Sequence, residues 1–311
     1  MQYKTFPTVL IVGGAGYIGS HVNQLICQKG YQSVIFDNLS RGTKSNIVCG
    51  KFEQGDTGNL EDLQELFKKY SFDAIMHFAA LTDVGESFKS PDTYYRENVV
   101  NTLNLLNAAV ENNVKVFVFS SSAAIFGLPQ TELIAEDHPC LPINPYGRTK
   151  LMVESILSDY DAAYGLKSCC LRYFNALGND PDSKIHSLFA QQKNLIPLIF
   201  QSLSAKTPLT IYGTDYPTKD GTCIRDYIHV ADLAEAHLQG LEKILSKNES
   251  CSYNLGNGHG YSVKEVIDAV KKITGLKIKV TIGPRRPGDP PILVANSDKA
   301  RHELGWNPKY P

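Results

Sequence analysis

Tyr146 and Lys150, in the run Tyr146-Gly147-Arg148-Thr149-Lys150, stand four residues apart, which on a helix puts both on one face. A phenol titrates near pH 10 and is a poor base at neutrality. An ammonium group one turn away favours the phenolate, so the pair has the make-up of a general base. Upstream, Ser120-Ser121-Ser122 follows the apolar, strand-like run Val114 to Phe119. The C-terminal end of such a strand faces the crevice where open α/β sheets bind ligands. A serine there can share a hydrogen bond with the tyrosine and with a substrate hydroxyl. Alone, the tyrosine–lysine spacing fits many surface helices and the serines fit many polar turns. Their meaning depends on what surrounds them.

A second group of residues has the chemistry of phosphate binding. Gly13-Gly14-Ala15-Gly16-Tyr17-Ile18-Gly19 lies between the apolar run Thr8–Val12 and a helical pattern from Ile18 to Gln28. Glycines at 13, 16 and 19 allow a tight turn and close backbone approach to a pyrophosphate, and the helix N-terminus offers unpaired N–H groups. Asp37 closes the next strand, where a carboxylate binds adenosine ribose hydroxyls and disfavours a 2′-phosphate, although Arg41 nearby weighs the other way. NAD is therefore the expected cofactor, and its charged ring would join Lys150 in favouring a Tyr146 phenolate. His77-Phe78-Ala79-Ala80 ends another strand, with small residues over which a cofactor can pass. His77 itself reads as a packed histidine. No set of His, Cys, Asp and Glu has metal-site spacing, so no metal is expected.

Positioning these groups requires a sheet. Strand-like runs at 8–12, 33–36, 73–78, 114–119 and 168–171 alternate with helical patterns at 18–28, 60–70, 91–113 and 145–164. Strict alternation predicts an α/β fold: a Rossmann-type, doubly wound parallel sheet covered on both faces. Beyond about residue 175 the strands shorten, and loops rich in Gly, Pro, Asp and Lys separate them, as at 214–222 and 283–291. Residues 1–175 are thus expected to form the dinucleotide-binding domain carrying Ser122, Tyr146 and Lys150. Residues 176–311 are expected to form a smaller α/β substrate-binding region, with some chain crossing back to the sheet.

Composition narrows the function classes. The 311 residues are 42% hydrophobic and 20% charged with a formal net charge of −1, which is globular and lacks the positive excess of a nucleic-acid or membrane-surface binder. No apolar run reaches the roughly 18 residues of a membrane helix, and the first residues do not resemble a signal peptide. Seven cysteines, an odd number with no CxxC pair, read as free thiols of a reducing compartment. A soluble, cytoplasmic enzyme is the expectation.

Taken together, the glycine run 13–19 with Ser20-His21, Asp37-Asn38-Leu39, Val84-Gly85-Glu86-Ser87, Asn98, the three serines, Pro145-Tyr146-Gly147 with Lys150, Leu171-Arg172-Tyr173-Phe174-Asn175, Asp220-Gly221-Thr222, Arg225-Asp226-Tyr227-Ile228-His229-Val230, Tyr253-Asn254-Leu255-Gly256 and Arg286-Pro287-Gly288-Asp289 resemble the extended short-chain dehydrogenase/reductase family. Within it, the resemblance is to the NAD-dependent 4-epimerases of UDP-sugars, and it runs from Val9 to Pro308. It implies reversible C4 epimerisation of UDP-glucose and UDP-galactose through a 4-keto sugar, with Tyr146 moving the proton, Ser122 assisting and Lys150 tuning the base. It further implies NAD contacts from Gly13, Gly16, Tyr17, Ile18, Gly19, Asp37, Asn38 and Asp56, and from Phe78, Ala79, Ala80, Asn98, Tyr146, Lys150 and Tyr173. Asn175, Asn194, Leu195, Tyr212, Arg225, Arg286 and Asp289 would hold the uridine diphosphate, with Ser122, Tyr146 and Leu293 at the sugar. A homodimer is implied as well, with helices 92–113 and 145–164 pairing across a two-fold axis.

Three departures from the family pattern bear on this. Thr82 stands where the family has a lysine, which implies weaker retention of NAD. Leu293 occupies the position that gates N-acetylated sugars and is smaller than tyrosine, which keeps UDP-N-acetylglucosamine, UDP-N-acetylgalactosamine and UDP-pentoses open as alternative substrates. The family's chains also continue for a helix beyond Pro308. Two rivals are weaker. A nucleotide-sugar 4,6-dehydratase or decarboxylase would carry an acidic residue just after Ser122, where Ala123, Ala124 and Ile125 stand. A non-catalytic NAD sensor on this fold would be expected to lose Tyr146 or Lys150, and both are present.

Overall fold

The structure, a computed structural model, describes residues 7–182, 184–185 and 194–310. The strands are β1 (Thr8–Val12), β2 (Gln32–Asp37), β3 (Lys51–Gln54), β4 (Ala74–His77), β5 (Val116–Ser122), β6 (Lys167–Tyr173) and β7 (Asn175–Leu177). They continue with β8 (Leu209–Tyr212), β9 (Ile224–His229), β10 (Cys251–Leu255), β11 (Gly260–Ser262), β12 (Val280–Gly283) and β13 (Ile292–Leu293). Seven of them form one parallel sheet in the order β10-β6-β5-β4-β1-β2-β3. The reversal of strand order beside β1 creates the switch point at which such sheets bind ligands.

Side chains on a strand alternate between faces, and here both faces are apolar. Val9, Ile11, Met76, Val118 and Leu171 enter one core, while Leu10, Val12, Ile75, Phe117 and Phe119 enter the other. The first core is closed by α1 (Tyr17–Gln28), through Val22 and Ile26, and by α8 (Val230–Lys247), through Leu233, Leu241 and Ile244. The second is closed by α2 (Leu60–Lys69) and by the helices between β4 and β6. Full burial of each such side chain stabilises by about 1.5–3 kcal/mol, so the sheet is a firm base for its loops.

Between β4 and β5 lie α3 (Val84–Lys89), α4 (Pro91–Tyr95) and α5 (Asn101–Glu111). The single helix expected over 91–113 is interrupted: Arg96–Val100 form a π-helical turn joining α4 to α5. A π turn admits one extra residue and often marks a functional position. Next, α6 (Pro145–Tyr164) begins with proline in its first turn and Asn144 as cap, whose Oδ1 accepts from Gly147 N at 2.7 Å, and it ends at Gly165 with φ 68°. Tyr146 and Lys150 are therefore in its first two turns.

The later chain forms α7 (Leu195–Ala205), α9 (Val263–Thr274) and α10 (Asp298–Leu304) around two small sheets. β9 is the spine of one, antiparallel to β11 and parallel to β13 and β7; β8 and β12 pair in the other. β10 returns to the large sheet beside β6. Buried Trp306 fastens the following segment, its indole N–H donating to the Asp232 carbonyl at 2.8 Å. Among the described residues, no helix is long and apolar enough to cross a membrane.

The cysteines depart from expectation. Cys27 and Cys49 are joined as a disulfide, while Cys140, Cys169, Cys170, Cys223 and Cys251 are free. The reading of seven free thiols rested on number and spacing, and a sequence separation of 22 gave no local signal. The pairing arises because the end of α1 and the approach to β3 flank the same side of β2.

Candidate active site

The C-terminal ends of β1 to β6 open into a cavity of ≈ 780 Å³, the size range of small-molecule sites. At one end is the glycine loop. Gly13 has φ 79°, and a Cβ there would lie 2.5 Å from the Ala79 backbone nitrogen; one on Gly19 would overlap the Gly13 carbonyl. Gly13, Gly16, Tyr17, Ile18 and Gly19 all line the cavity. The loop is braced by Asp37, whose carboxylate accepts from Ala15 N at 2.9 Å and Leu39 N at 2.8 Å. Burial raises the Asp37 pKa and these two bonds oppose the rise.

Asn38 donates to Asp56 at 2.8 Å, and both line the same end. Arg41 lines it too, with its guanidinium 3.6 Å from Glu86 of α3. That side chain already faces a carboxylate, so together with Asp37 it leaves this end poorly suited to a 2′-phosphate. Phe78, Ala79 and Ala80 continue the wall beyond β4, and the N–H groups of Phe78 and Ala79 donate to Val12 O at 2.8 and 3.2 Å.

Asn98 does not line the cavity. The π turn directs its side chain at the loop behind the wall, where it accepts from Leu81 N at 2.8 Å and donates to Leu81 O and Thr149 Oγ1, each at 3.0 Å. It thus holds Leu81 and Thr82, which do line the cavity, against α6. His77 is a buried neutral imidazole, bonded through Nε2 to Thr102 at 2.9 Å, with burial pushing its pKa down to about 3.

The proton-handling groups stand midway along the cavity. β5 runs beyond Phe119 through all the serines to Ser122, so the sheet itself fixes the position of Ser122. Tyr146 and Ser122 are neighbours on the cavity wall. Burial raises the Tyr146 pKa, and the Ser122 hydroxyl opposes the rise. Lys150 is one layer behind the wall: Nζ donates to the Ser120 carbonyl at 2.8 Å and lies 4.8 Å from the centre of the Phe119 ring. Burial lowers its pKa to about 7, against the pull of Glu154. Tyr173 completes this part of the wall, its hydroxyl bonded to Ser120 Oγ.

At the far end Asn175, Asn194, Arg225, Asp289 and Leu293 line the cavity. Arg225 is buried, ion-paired with Asp289, and donates to its own Ile224 carbonyl at 2.7 Å. Three expected contacts are not on the wall. Leu195 is the first residue of α7, next to Asn194. Tyr212 and Arg286 stack on each other, guanidinium to ring centre 4.0 Å, beside the Asp289 loop. Tyr17 ties the two ends together through its hydroxyl, which donates to Gly178 O at 2.7 Å.

Several wall residues were not expected: Thr57, Asp83, Val84, Asn144, Phe174 and Pro290 among them. Asn144 and Asp83 had a visible signal, since each is an amide or carboxylate capping a helix. Phe174 stood next to Tyr173 in a recognised run. Thr57 and Pro290 had none.

Comparison with known proteins adds to this geometry. A profile of the family described as GDP-mannose 4,6 dehydratase matches residues 10–311. The UDP-glucose 4-epimerase of Rhizobium meliloti is 46% identical over 97% of this chain and 92% of its own. The crystal structure of UDP-glucose 4-epimerase from Brucella ovis in complex with NAD superposes with a TM-score of 0.93 at 43% identity, covering 98% of this chain and 94% of that one. The UDP-Glc/GlcNAc 4-epimerase of Campylobacter jejuni gives a TM-score of 0.83 at 44% identity over the same shares.

Proposed function

The chain belongs to the family described as GDP-mannose 4,6 dehydratase and, within it, to the UDP-glucose 4-epimerases, and on that premise we propose that it interconverts UDP-glucose and UDP-galactose at C4 with bound NAD. One observation carries the reading: Ser122 and Tyr146 share a cavity wall with the glycine loop and Asp37. Dehydration would need an acid beside Ser122, and the wall there is Ala123 and Ala124.

The residues present fit NAD. A loop that excludes even a methyl group at Gly13 leaves its backbone open to a pyrophosphate, and the Asp37 carboxylate has lone pairs beyond its two backbone bonds for ribose hydroxyls. Phe78, Ala79, Ala80 and Tyr173 would flank the nicotinamide. Asn98 and Lys150 would act on the cofactor and on Tyr146 from behind the wall, through Leu81 and through charge. When bound, NAD supplies hydride acceptance and return at the sugar carbon.

Tyr146 takes the proton of the 4-hydroxyl and returns it after the 4-keto sugar has turned its other face, while Ser122 holds the sugar oxygen in line. Burial by itself holds Tyr146 as a phenol. A phenolate therefore needs added positive charge, from a protonated Lys150 and an oxidised nicotinamide. Arg225, Asn175 and Asn194 would hold the diphosphate and uridine, with Asp289 exchanging its arginine contact for a ligand hydroxyl. Residues 1–175 would thus serve the cofactor and 176–311 mainly the sugar nucleotide.

Incubating the purified protein with UDP-galactose, without added NAD, should yield UDP-glucose by chromatography. Product appearing only with added NAD would mean weakened retention of the cofactor, consistent with Thr82, and no product under either condition would overturn the reading. A second substrate is favoured by Leu293 on the wall and by the dual-substrate C. jejuni enzyme: UDP-N-acetylglucosamine should be converted, and failure at every concentration would remove it. We also read the enzyme as cytoplasmic and homodimeric, supported by exposed Val100 and Met152 on the helical layer formed by the 96–111 segment and α6.

A further inference from the structure

We propose that Cys27 and Cys49 form a thiol–disulfide site that sets how firmly the adenosine end of the cavity holds its cofactor. The inference rests on the NAD-binding reading above. Cys27 is in the last turn of α1, the helix that begins at the glycine loop, and Cys49 lies two residues before β3. The chain between them carries β2 with Asp37 at its end, and then Asn38, Ser40, Arg41 and Gly42, all on the cavity wall. The cross-link closes this segment into a ring.

The surroundings reinforce that arrangement. Asn23 of α1 donates to the Cys49 carbonyl at 2.9 Å, and Cys27 Sγ lies 3.4 Å from the Ser33 hydroxyl of β2. The ring is tied to the glycine loop at its other side, where Thr43 N donates to Ala15 O at 3.1 Å. Constraining the ribose-binding segment in its bound arrangement reduces the ordering required on binding and slows release. Both cysteines are partly exposed, whereas Cys169, Cys170 and Cys223 are buried. A small thiol or disulfide can reach the pair.

The reaction is thiol–disulfide exchange with a low-molecular-weight disulfide as oxidant. One protein thiol loses its proton, and the thiolate attacks a sulfur of the small disulfide, forming a mixed disulfide and expelling one small thiolate. The second protein thiolate attacks the protein sulfur of that bond, closing Cys27–Cys49 and releasing the second small thiol. Two electrons pass from the protein thiols to the small disulfide, and a reducing dithiol reverses the sequence.

The test uses the full chain, poised with oxidised glutathione or with dithiothreitol, then alkylated. Mass spectrometry of unreduced peptides reads the link, and NAD release is followed in parallel without any sugar substrate, so the result does not depend on epimerase activity. The linked peptide should appear only after oxidation, and NAD should leave several-fold faster from the reduced protein. Cys49→Ser should release NAD at the reduced rate under both conditions, while Cys140→Ser should respond as the parent does. Absence of the link after oxidation, or equal release rates from linked and reduced parent protein, would overturn the proposal.

Discussion

The two ends of the cavity are built from different materials. The adenosine end is mostly backbone, with glycines packed against Ala79, a carboxylate spent on two N–H groups, and wall segments that follow one another closely in the chain. The far end is held by charge: Arg225 and Asp289, 64 residues apart, neutralise each other where a diphosphate is proposed to bind. A backbone site has one geometry and fails when sterically filled. A charge-paired site keeps its shape when a side chain is altered and loses affinity instead. In the proposed reaction the cofactor is regenerated in every cycle and need not leave, whereas the sugar nucleotide must enter and leave, so the rigid end suits the first and the exchangeable ion pair the second.

The largest effect should come from filling the backbone end. Gly13→Ala places a methyl group 2.5 Å from Ala79 N at a residue with φ 79°. The left-handed conformation alone costs about 1–2 kcal/mol, and the collision adds to it. The variant should copurify without NAD, as read by absorbance of the denatured supernatant, and should melt several degrees lower. Retention of a full complement of NAD would mean that this end is more plastic than its contacts imply.

A smaller and more selective loss should follow at the charged end. Arg225→Met with Asp289→Leu removes both members of the pair and so avoids a lone buried charge. Loss of charge-assisted bonds worth about 1.5–3 kcal/mol corresponds to roughly 10- to 100-fold weaker binding of UDP by calorimetry. NAD content should be unchanged. If NAD is lost as well, the ends are coupled, and the Tyr17–Gly178 bond is the first link to suspect.

The same contrast explains what could be read from the chain. The adenosine end is local, so spacing alone brought Gly13, Gly16, Gly19 and Asp37 to one place. The sheet was legible where its strands are apolar; β3, with the sequence Lys-Phe-Glu-Gln at a half-exposed edge, gave no such run. The helix over 91–113 read as continuous because a π turn changes hydrogen bonding and not composition. Within that turn Asn98 braces Leu81 through both of its backbone groups. At the far end Tyr212 and Arg286 belong to the right neighbourhood yet stack on each other, and the ion pair of Arg225 depends on a loop that only tertiary packing brings near. The Cys27–Cys49 link is non-local in the same sense.

Lys150, between the two ends, follows neither rule, and its ionisation supplies the smallest predicted effect. It is a cation held by a backbone carbonyl and an aromatic face, and burial takes its pKa from the ordinary 10.5 down to about 7. The folded protein therefore binds fewer protons than the unfolded chain between about pH 7 and 10.5, and this residue makes stability rise with pH across that window. The cost of burying the charge is fully present below pH 7 and is relieved as the pH approaches the unfolded value. Lys150→Met has no charge to bury, so its melting temperature should exceed the parent's at pH 6 by ~2–4 °C, of the order that about two kcal/mol moves a chain of this size. That margin should shrink steadily towards pH 9. A constant difference across the range would place the ammonium in a better-solvated setting than its contacts indicate, and would remove it as the group that trades stability for a readily ionised Tyr146.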